Sequence, residues 1–217
     1  MVSPRISGTM TAMSSTPTGN ARTAVGTEVK RRLMKRPERR EQIIAAAKRA
    51  FSRAAFSDTL LDDVAREAGI SKAILYRHFD SKADLYEAVL DDVSERLQAA
   101  FGGEANLHNA KVDVIVAMAD DDPEGFRLLF EHLAREPEFS GYNDQLQALS
   151  MTVTQTRMSE ELGDSGNVDW ASRLVPALTI RAVLSWLDAG RPDRAHAAEI
   201  VHDIIAGALE AFRKPRR

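Results

Sequence analysis

Residues 59–86, TLLDDVAREAGISKAILYRHFDSKADLY, constrain the fold more tightly than any other stretch of this 217-residue chain. Leu61, Val64, Ala65 and Ala68 recur at helical spacing, which predicts a short amphipathic helix. Thr59 is placed to cap it, with Asp62 three residues on in the manner of a capping box. Gly69 marks its end, and Ser71 can cap a second helix running to about Phe79. In that second helix Ile70, Leu75 and Phe79 point inward, leaving Lys72, Tyr76, Arg77 and His78 outside. Two helices joined this tightly predict a helix-turn-helix, whose second member fits the major groove of DNA.

The elements around this pair have the same helical character. Ile43, Ile44, Ala47, Ala50 and Phe51 predict a preceding helix that braces the pair, with Phe56 adding to its small core. Ser81, followed by Asp84 in the third helical position, predicts a further helix with Leu85, Val89, Leu90, Val93 and Leu97 on one face. At about 1.5 Å per residue that helix is roughly 30 Å long and reaches well beyond the reader pair.

After Gly102 and Gly103, helices are expected over 107–119, 123–135 and 142–162, the second opened by an Asp122 cap and Pro123. Two more, over 168–189 and 193–213, are joined by the GRPD turn as antiparallel neighbours. Ile200, Val201, Ile204, Ile205, Ala208, Leu209 and Phe212 form a stripe wider than one partner helix needs. A self-association through the last two helices is therefore expected. With no alternating strand pattern, the fold class is all-α.

Charge divides the chain. Residues 1–82 carry a net charge of +8 and the remainder −11, although the whole is only −3. The basic end can attract phosphates while the acidic body limits non-specific sticking. Residues 1–37, rich in Ser, Thr, Gly and Pro, are expected to be a disordered basic arm. Lys30, Arg31, Arg32, Lys35 and Arg36 could follow phosphates or enter a minor groove, or serve only as a solubilising leader. Met34, just ahead of the first helix, is an alternative start. The domains are accordingly read as 1–37, a helix-turn-helix module over 38–84, and a helical bundle over 85–217.

The segments at 63–85, DVAREAGISKAILYRHFDSKADL, and at 39–56, RREQIIAAAKRAFSRAAF, resemble the N-terminal signature of the TetR-type transcriptional regulators. Ala55, Ala73 and Ile74 depart from that pattern, standing where the family commonly has glycine, glycine or proline, and threonine. The resemblance implies backbone contacts for Thr59, Tyr76, His78 and Lys82, and base-edge or mixed contacts for residues from Ser71 through Arg77, including Lys72. Arg77 is suited to guanine because its guanidinium can bond two acceptors at once, while Ala73 and Ile74 can meet a thymine methyl.

The resemblance further implies a dimer that reads an inverted-repeat operator. It also implies a small molecule that enters the bundle, shifts the fourth helix and releases the DNA. Phe126, Phe130, Met151, Met158, Trp170 and Trp186 are the candidates for lining its pocket, and His132, Thr154, Gln155 and Arg181 for orienting it. These residue types suit an apolar or aromatic ligand. Repression is the default expectation; a ligand-independent or architectural DNA-binding protein is the alternative.

Other chemistries lack support in the sequence. No cysteine is present, which removes thiol catalysis and thiolate metal sites and suits a reducing cytoplasm. No apolar run approaches the ~18 residues of a membrane span, and no secretory leader is legible. His196 and His202 are six apart and fall on different helix faces, and no cofactor loop is found, so neither an enzyme nor a cofactor is expected. Asp120, Asp122, Gly125 and Glu131 mimic a calcium loop, but Glu124 and Pro123 disturb it and an Asp-capped helix explains the same residues.

Overall fold

Helix α1 (Arg36–Phe51) starts the described part of the chain, with Pro37 in its first turn and the Glu38 carboxylate accepting from the Lys35 backbone N–H at 3.2 Å. The computed structural model describes residues 35–101, 112–163 and 166–213. Ile43, Ile44, Ala47, Ala50 and Phe51 are all buried, as their spacing predicts. Arg36 and Pro37, assigned by sequence to the arm, belong to α1, and the arm before Lys35 lies outside the described residues.

Helix α2 (Leu61–Glu67) begins one residue later than expected, with Leu60 rather than Thr59 at its cap position and no side-chain cap. Asp62 and Asp63 in its first turn oppose the helix dipole instead. Its end is set by Gly69 at φ +63°: the Gly69 N–H donates to the Arg66 carbonyl and the Ile70 N–H to the Ala65 carbonyl. That paired closure requires a left-handed residue and swings the chain into the next helix.

Helix α3 (Lys72–Leu75) is shorter than the predicted span to Phe79, because the backbone tightens into turns from Tyr76 to Phe79. Ser71 caps it, its hydroxyl accepting from the Ile74 N–H at 3.4 Å. Helix α4 (Lys82–Ala100) opens as expected, with the Ser81 hydroxyl accepting from the Asp84 N–H at 3.0 Å.

Helix α5 (Val112–Asp121) covers the later part of the span predicted over 107–119. Asp122 then caps α6 (Pro123–Arg127), its carboxylate accepting from the Gly125 N–H at 3.0 Å. The single helix expected over 123–135 is not regular. After α6 it widens into a π turn over Leu128–His132 and narrows to a 3-10 turn over Leu133–Arg135. A second 3-10 turn, Pro137–Phe139, leads into α7 (Ser140–Leu162). Helices α8 (Val168–Asp188) and α9 (Ala197–Arg213) complete the fold, α9 starting four residues later than expected.

About 79% of the described residues are helical and no strand occurs among them. One apolar core runs from Ile43 in α1, through Val89 and Val93 in α4 and Phe126 in α6, to Val183 and Val201 in α8 and α9. A smaller cluster of Met158, Ala171 and Phe212 seals the far end. The calcium-like carboxylates are spent within this packing. Asp120 accepts from Arg191 and Arg194, and Asp122 pairs with Lys48. No helix among the described residues is long and apolar enough to cross a membrane.

Candidate nucleic-acid interface and effector cavity

Leu75 and Phe79 are fully buried and anchor the reader segment from below, which turns the intervening side chains outward. Ser71, Lys72, Ala73, Tyr76 and Arg77 are exposed, Tyr76 at 49%, while Ile74 and His78 are half-buried. Lys72 forms an ion pair with Asp62 at 3.1 Å, and Arg77 has no partner among the described residues. The result is a projecting edge with an aromatic hydroxyl, a free guanidinium and a tethered ammonium, donors suited to phosphates and base edges.

Three arginines of α1 enlarge this edge. The Arg40 guanidinium stacks 4.9 Å from the centroid of the Phe79 ring. Burial first, and then the positive charges of Arg36, Arg39 and Arg40, push the His78 imidazole below its ordinary pKa. His78 is therefore neutral near pH 7 and sits at the centre of a cationic rim. Sequence reasoning missed Arg39 and Arg40. Their i, i+3, i+4 spacing with Arg36 was the available signal, since it puts all three on one helix face.

Two expected phosphate donors are occupied internally. Thr59 is only 3% exposed, and its hydroxyl donates to the carbonyls of Ala55 and Ala54 at 3.1 and 3.4 Å. Lys82 donates to the carbonyls of Phe56, Thr59 and Ser57 at 2.7, 3.2 and 3.3 Å, with its ammonium 4.3 Å from the centroid of the Phe56 ring. Both side chains hold the α1–α2 turn together instead of facing outward. The physical reason is the turn itself, whose carbonyls lack helical partners and draw the nearest donors.

A cavity of about 530 Å³ lies among α4, α5, the π turn, α7, α8 and α9. Of the residues expected to line it, Phe130, Thr154 and Met158 do so. Thr154 spends its hydroxyl on the Ser150 carbonyl at 2.7 Å. Phe126 is fully buried beneath Phe130, their ring centroids 4.6 Å apart, and so belongs to the core. Met151 is half-buried but not among the lining side chains, and Gln155 and Arg181 are exposed elsewhere. Trp170 is 53% exposed, edge-on to Phe212. Trp186 donates from its indole N–H to the Pro192 carbonyl at 2.8 Å and staples the α8–α9 turn. His132 faces α1 and bonds the Ser52 carbonyl at 3.0 Å. Helical spacing identifies the faces of a helix but not which inward face meets a void, hence these misses.

The cavity wall also includes residues that the sequence had not assigned to it. Leu97, Phe101, Ile115, Leu146, Ile180 and Leu209 make it apolar. Arg157, His202 and Arg213 supply polar groups, Arg213 being paired with Glu161. Tyr142 donates to Asp91 at 2.8 Å; burial and that carboxylate push its hydroxyl up to about 12.

Comparison with known proteins agrees with this architecture. Residues 43–89 match the family model described as bacterial regulatory proteins, tetR family. The chain is 30% identical over 188 residues to the HTH-type transcriptional activator FasR of Mycolicibacterium smegmatis, covering 80% of this chain and 84% of FasR. Over 58 residues it is 45% identical to the HTH-type transcriptional regulator TtgR of Pseudomonas putida, 27% of this chain and 28% of TtgR. A TetR-like transcriptional regulator from Rhodococcus sp. RHA1 shares the fold, with a TM-score of 0.68 at 19% identity, over 82% of this chain and 98% of that one. Such proteins are regulators of transcription and not enzymes. An exposed cationic reader held by α1 and α4, the all-α body and the extended match to FasR lead to one assignment: the chain belongs to the TetR family of DNA-binding transcriptional regulators.

Proposed function

We propose that this regulator binds an inverted-repeat operator as a homodimer and is released when an elongated apolar effector enters the cavity. The observation that carries the reading is the course of α4. It begins at Lys82, four residues after His78, and its later half, from Asp91 to Phe101, forms a wall of the cavity. A ligand that repositions α4 therefore repositions the reader. For that shift to occur, the ligand must bind the released arrangement more tightly than the DNA-bound one, ordinarily by about 1–3 kcal/mol.

The cavity's shape narrows the effector class. Its α7 wall extends from Tyr142 to Glu161, roughly 28 Å along the helix at 1.5 Å per residue. A volume of about 530 Å³ spread over that length is long and thin, fitting a chain or an extended ring system better than a globular molecule.

The dimer reading rests on apolar surface left uncovered. Trp170 and Leu174 on α8, with Ile200 and Ile204 on α9, at 49% and 44% exposure, face outward. Gly207 continues the Ile200, Ile204 face, and nothing in its own chain lies within 4 Å of where its Cβ would be. Glycine inside a helix costs about 1 kcal/mol relative to alanine, so close approach of a partner helix gives it a purpose. Two readers held about 34 Å apart would then meet successive major grooves.

Repression is the reading adopted, since occluding a promoter requires no contact beyond DNA. FasR is named an activator, so transcription must be measured in both directions. Selection of bound fragments from genomic DNA, followed by effector screening for release of the recovered fragment, tests the whole proposal. Salt-dependent binding with no preferred sequence would favour the architectural alternative.

A further inference from the structure

The structure assigns to residues 122–136 a second coupling route, which runs from the cavity directly to α1 without passing through α4. This rests on the cavity being the regulatory site, and it concerns how occupancy reaches the reader.

Three polar ties join this one segment to α1 and the turn after it. At its start, Asp122 forms an ion pair with Lys48, which also lies 3.9 Å from Asp92 of α4. Near its end, His132 Nε2 is 3.0 Å from the carbonyl oxygen of Ser52, the residue that closes α1. A carbonyl only accepts, so Nε2 carries the proton and donates. At the last residue, the Glu136 carboxylate accepts from the Phe56 N–H at 2.8 Å. Around these ties Phe139 is buried against Phe56 and Tyr86, with ring centroids 4.9 and 4.6 Å apart. The same Phe56 carbonyl is gripped by Lys82, beside the reader.

Phe130 lies inside that span and borders the cavity. It falls within the π turn over Leu128–His132, two residues before His132. A π turn holds one residue more than an α turn, and its relaxation would rotate everything after it by about 100°, one residue's worth of helix. Pressure on Phe130 can therefore be converted into loss of the His132 and Glu136 ties, a discrete change and not a graded one. Those ties fix the end of α1 and the α1–α2 turn, which leads into α2, the helix joined to the reader by the Gly69 turn and the Asp62–Lys72 ion pair.

The test needs no effector, so it succeeds or fails independently of whether one is found. Phe130→Trp crowds the cavity from the segment, and Ala206→Phe fills it from α9 without touching the segment. Each is combined with His132→Leu/Glu136→Ala, and affinity is measured for a duplex selected from random sequence by the parent protein, with circular dichroism confirming the fold. Filling the cavity is expected to weaken binding about tenfold in the parent and by a clearly smaller factor, about threefold, in the untied background, where α4 alone transmits. His132→Gln, whose amide can still donate to Ser52, should restore the tie. Hydrogen exchange at the Phe56 amide should accelerate on filling while the global unfolding midpoint stays put. An equal loss of affinity in both backgrounds overturns the route, as does an unchanged affinity when either filled variant is folded.

Discussion

The ammonium of Lys82 lies 2.7 Å from the Phe56 carbonyl oxygen and, at the same time, 4.3 Å from the centre of that residue's ring. The first residue of α4 is thus fastened to the turn that precedes α2, with a cation–π contact reinforcing the hydrogen bonds. Lys82 joins the reader to its support.

This makes Lys82→Met a discriminating substitution. As a clamp, its loss should cost about 1–2 kcal/mol of stability, a fall of a few degrees in Tm, because hydrogen bonds to a charged group are lost while the freed carbonyls reach water. The slope of log affinity against log salt should stay unchanged. If Lys82 contacted phosphate instead, Tm would hold and the slope would drop by about one.

Gly69 offers a test of backbone strain alone. At φ +63°, with no atom within 4 Å of where a Cβ would stand, Gly69→Ala meets no clash. The cost is the left-handed conformation, about 1–2 kcal/mol. Gly69→Asn should be milder, since asparagine tolerates that region better. Chemical denaturation of both variants checks the order; an alanine variant as stable as the parent would show that the turn is not built as described.

Much of the fold was legible because it rests on local rules. The caps at Ser71, Ser81 and Asp122, the stop at Gly69 and the buried faces of α1 and α4 follow from residue chemistry and helical period. Thr59 was misread because the helix starts one residue later and its buried hydroxyl turns back to the Ala55 carbonyl, a contact that no local pattern announces. The π turn left no mark, since FRLLFEHL reads as ordinary helix until long-range ties such as His132 to Ser52 are known. The site was legible to the same degree. The reader's outward residues were periodic and visible, whereas the cavity depends on six elements meeting, the π turn among them, which one helix's pattern does not encode.

Arg77 should carry sequence discrimination. It is exposed, unpaired among the described residues and two positions before the buried Phe79. Arg77→Ala is expected to cost about 1–3 kcal/mol at one operator position and to relax preference there, as read by repeating the selection from random duplexes. Uniform weakening across all sequences would instead make Arg77 a phosphate contact.

The environment of His78 predicts proton-linked binding. Burial and the nearby Arg36, Arg39 and Arg40 hold its pKa below 6.5, so the free protein keeps it neutral at pH 7. For folding, the sign is that of a depressed histidine: stability is present above the unfolded pKa and is lost as pH falls through it toward the folded value. A phosphate at this rim acts oppositely, favouring the charged imidazole and raising its pKa. Binding should then take up a proton and strengthen as pH falls from 8 toward 6. His78→Gln should flatten the profile; a parent whose affinity is independent of pH would place phosphate away from this residue.

The outward face of α9 makes the strongest demand on quaternary structure. Ile204 is 44% exposed in a single chain, where Ile204→Asp places a carboxylate in water at little cost. Opposed to a partner helix, the same carboxylate would be buried without a counter-ion, a penalty of several kcal/mol and enough to shift a micromolar dimer to monomer. Gly207→Ala separates helix propensity from packing. It should raise the stability of a lone chain by up to about 1 kcal/mol, because nothing in that chain crowds the added methyl group, while weakening association if a partner backbone approaches there. Light scattering over a concentration series, paired with operator titration, reads both effects. Because one reader contacts only a half-site, each variant's loss of DNA affinity should track its loss of dimer. A folded Ile204→Asp protein that remains dimeric and binds as the parent does would remove α9 from the interface.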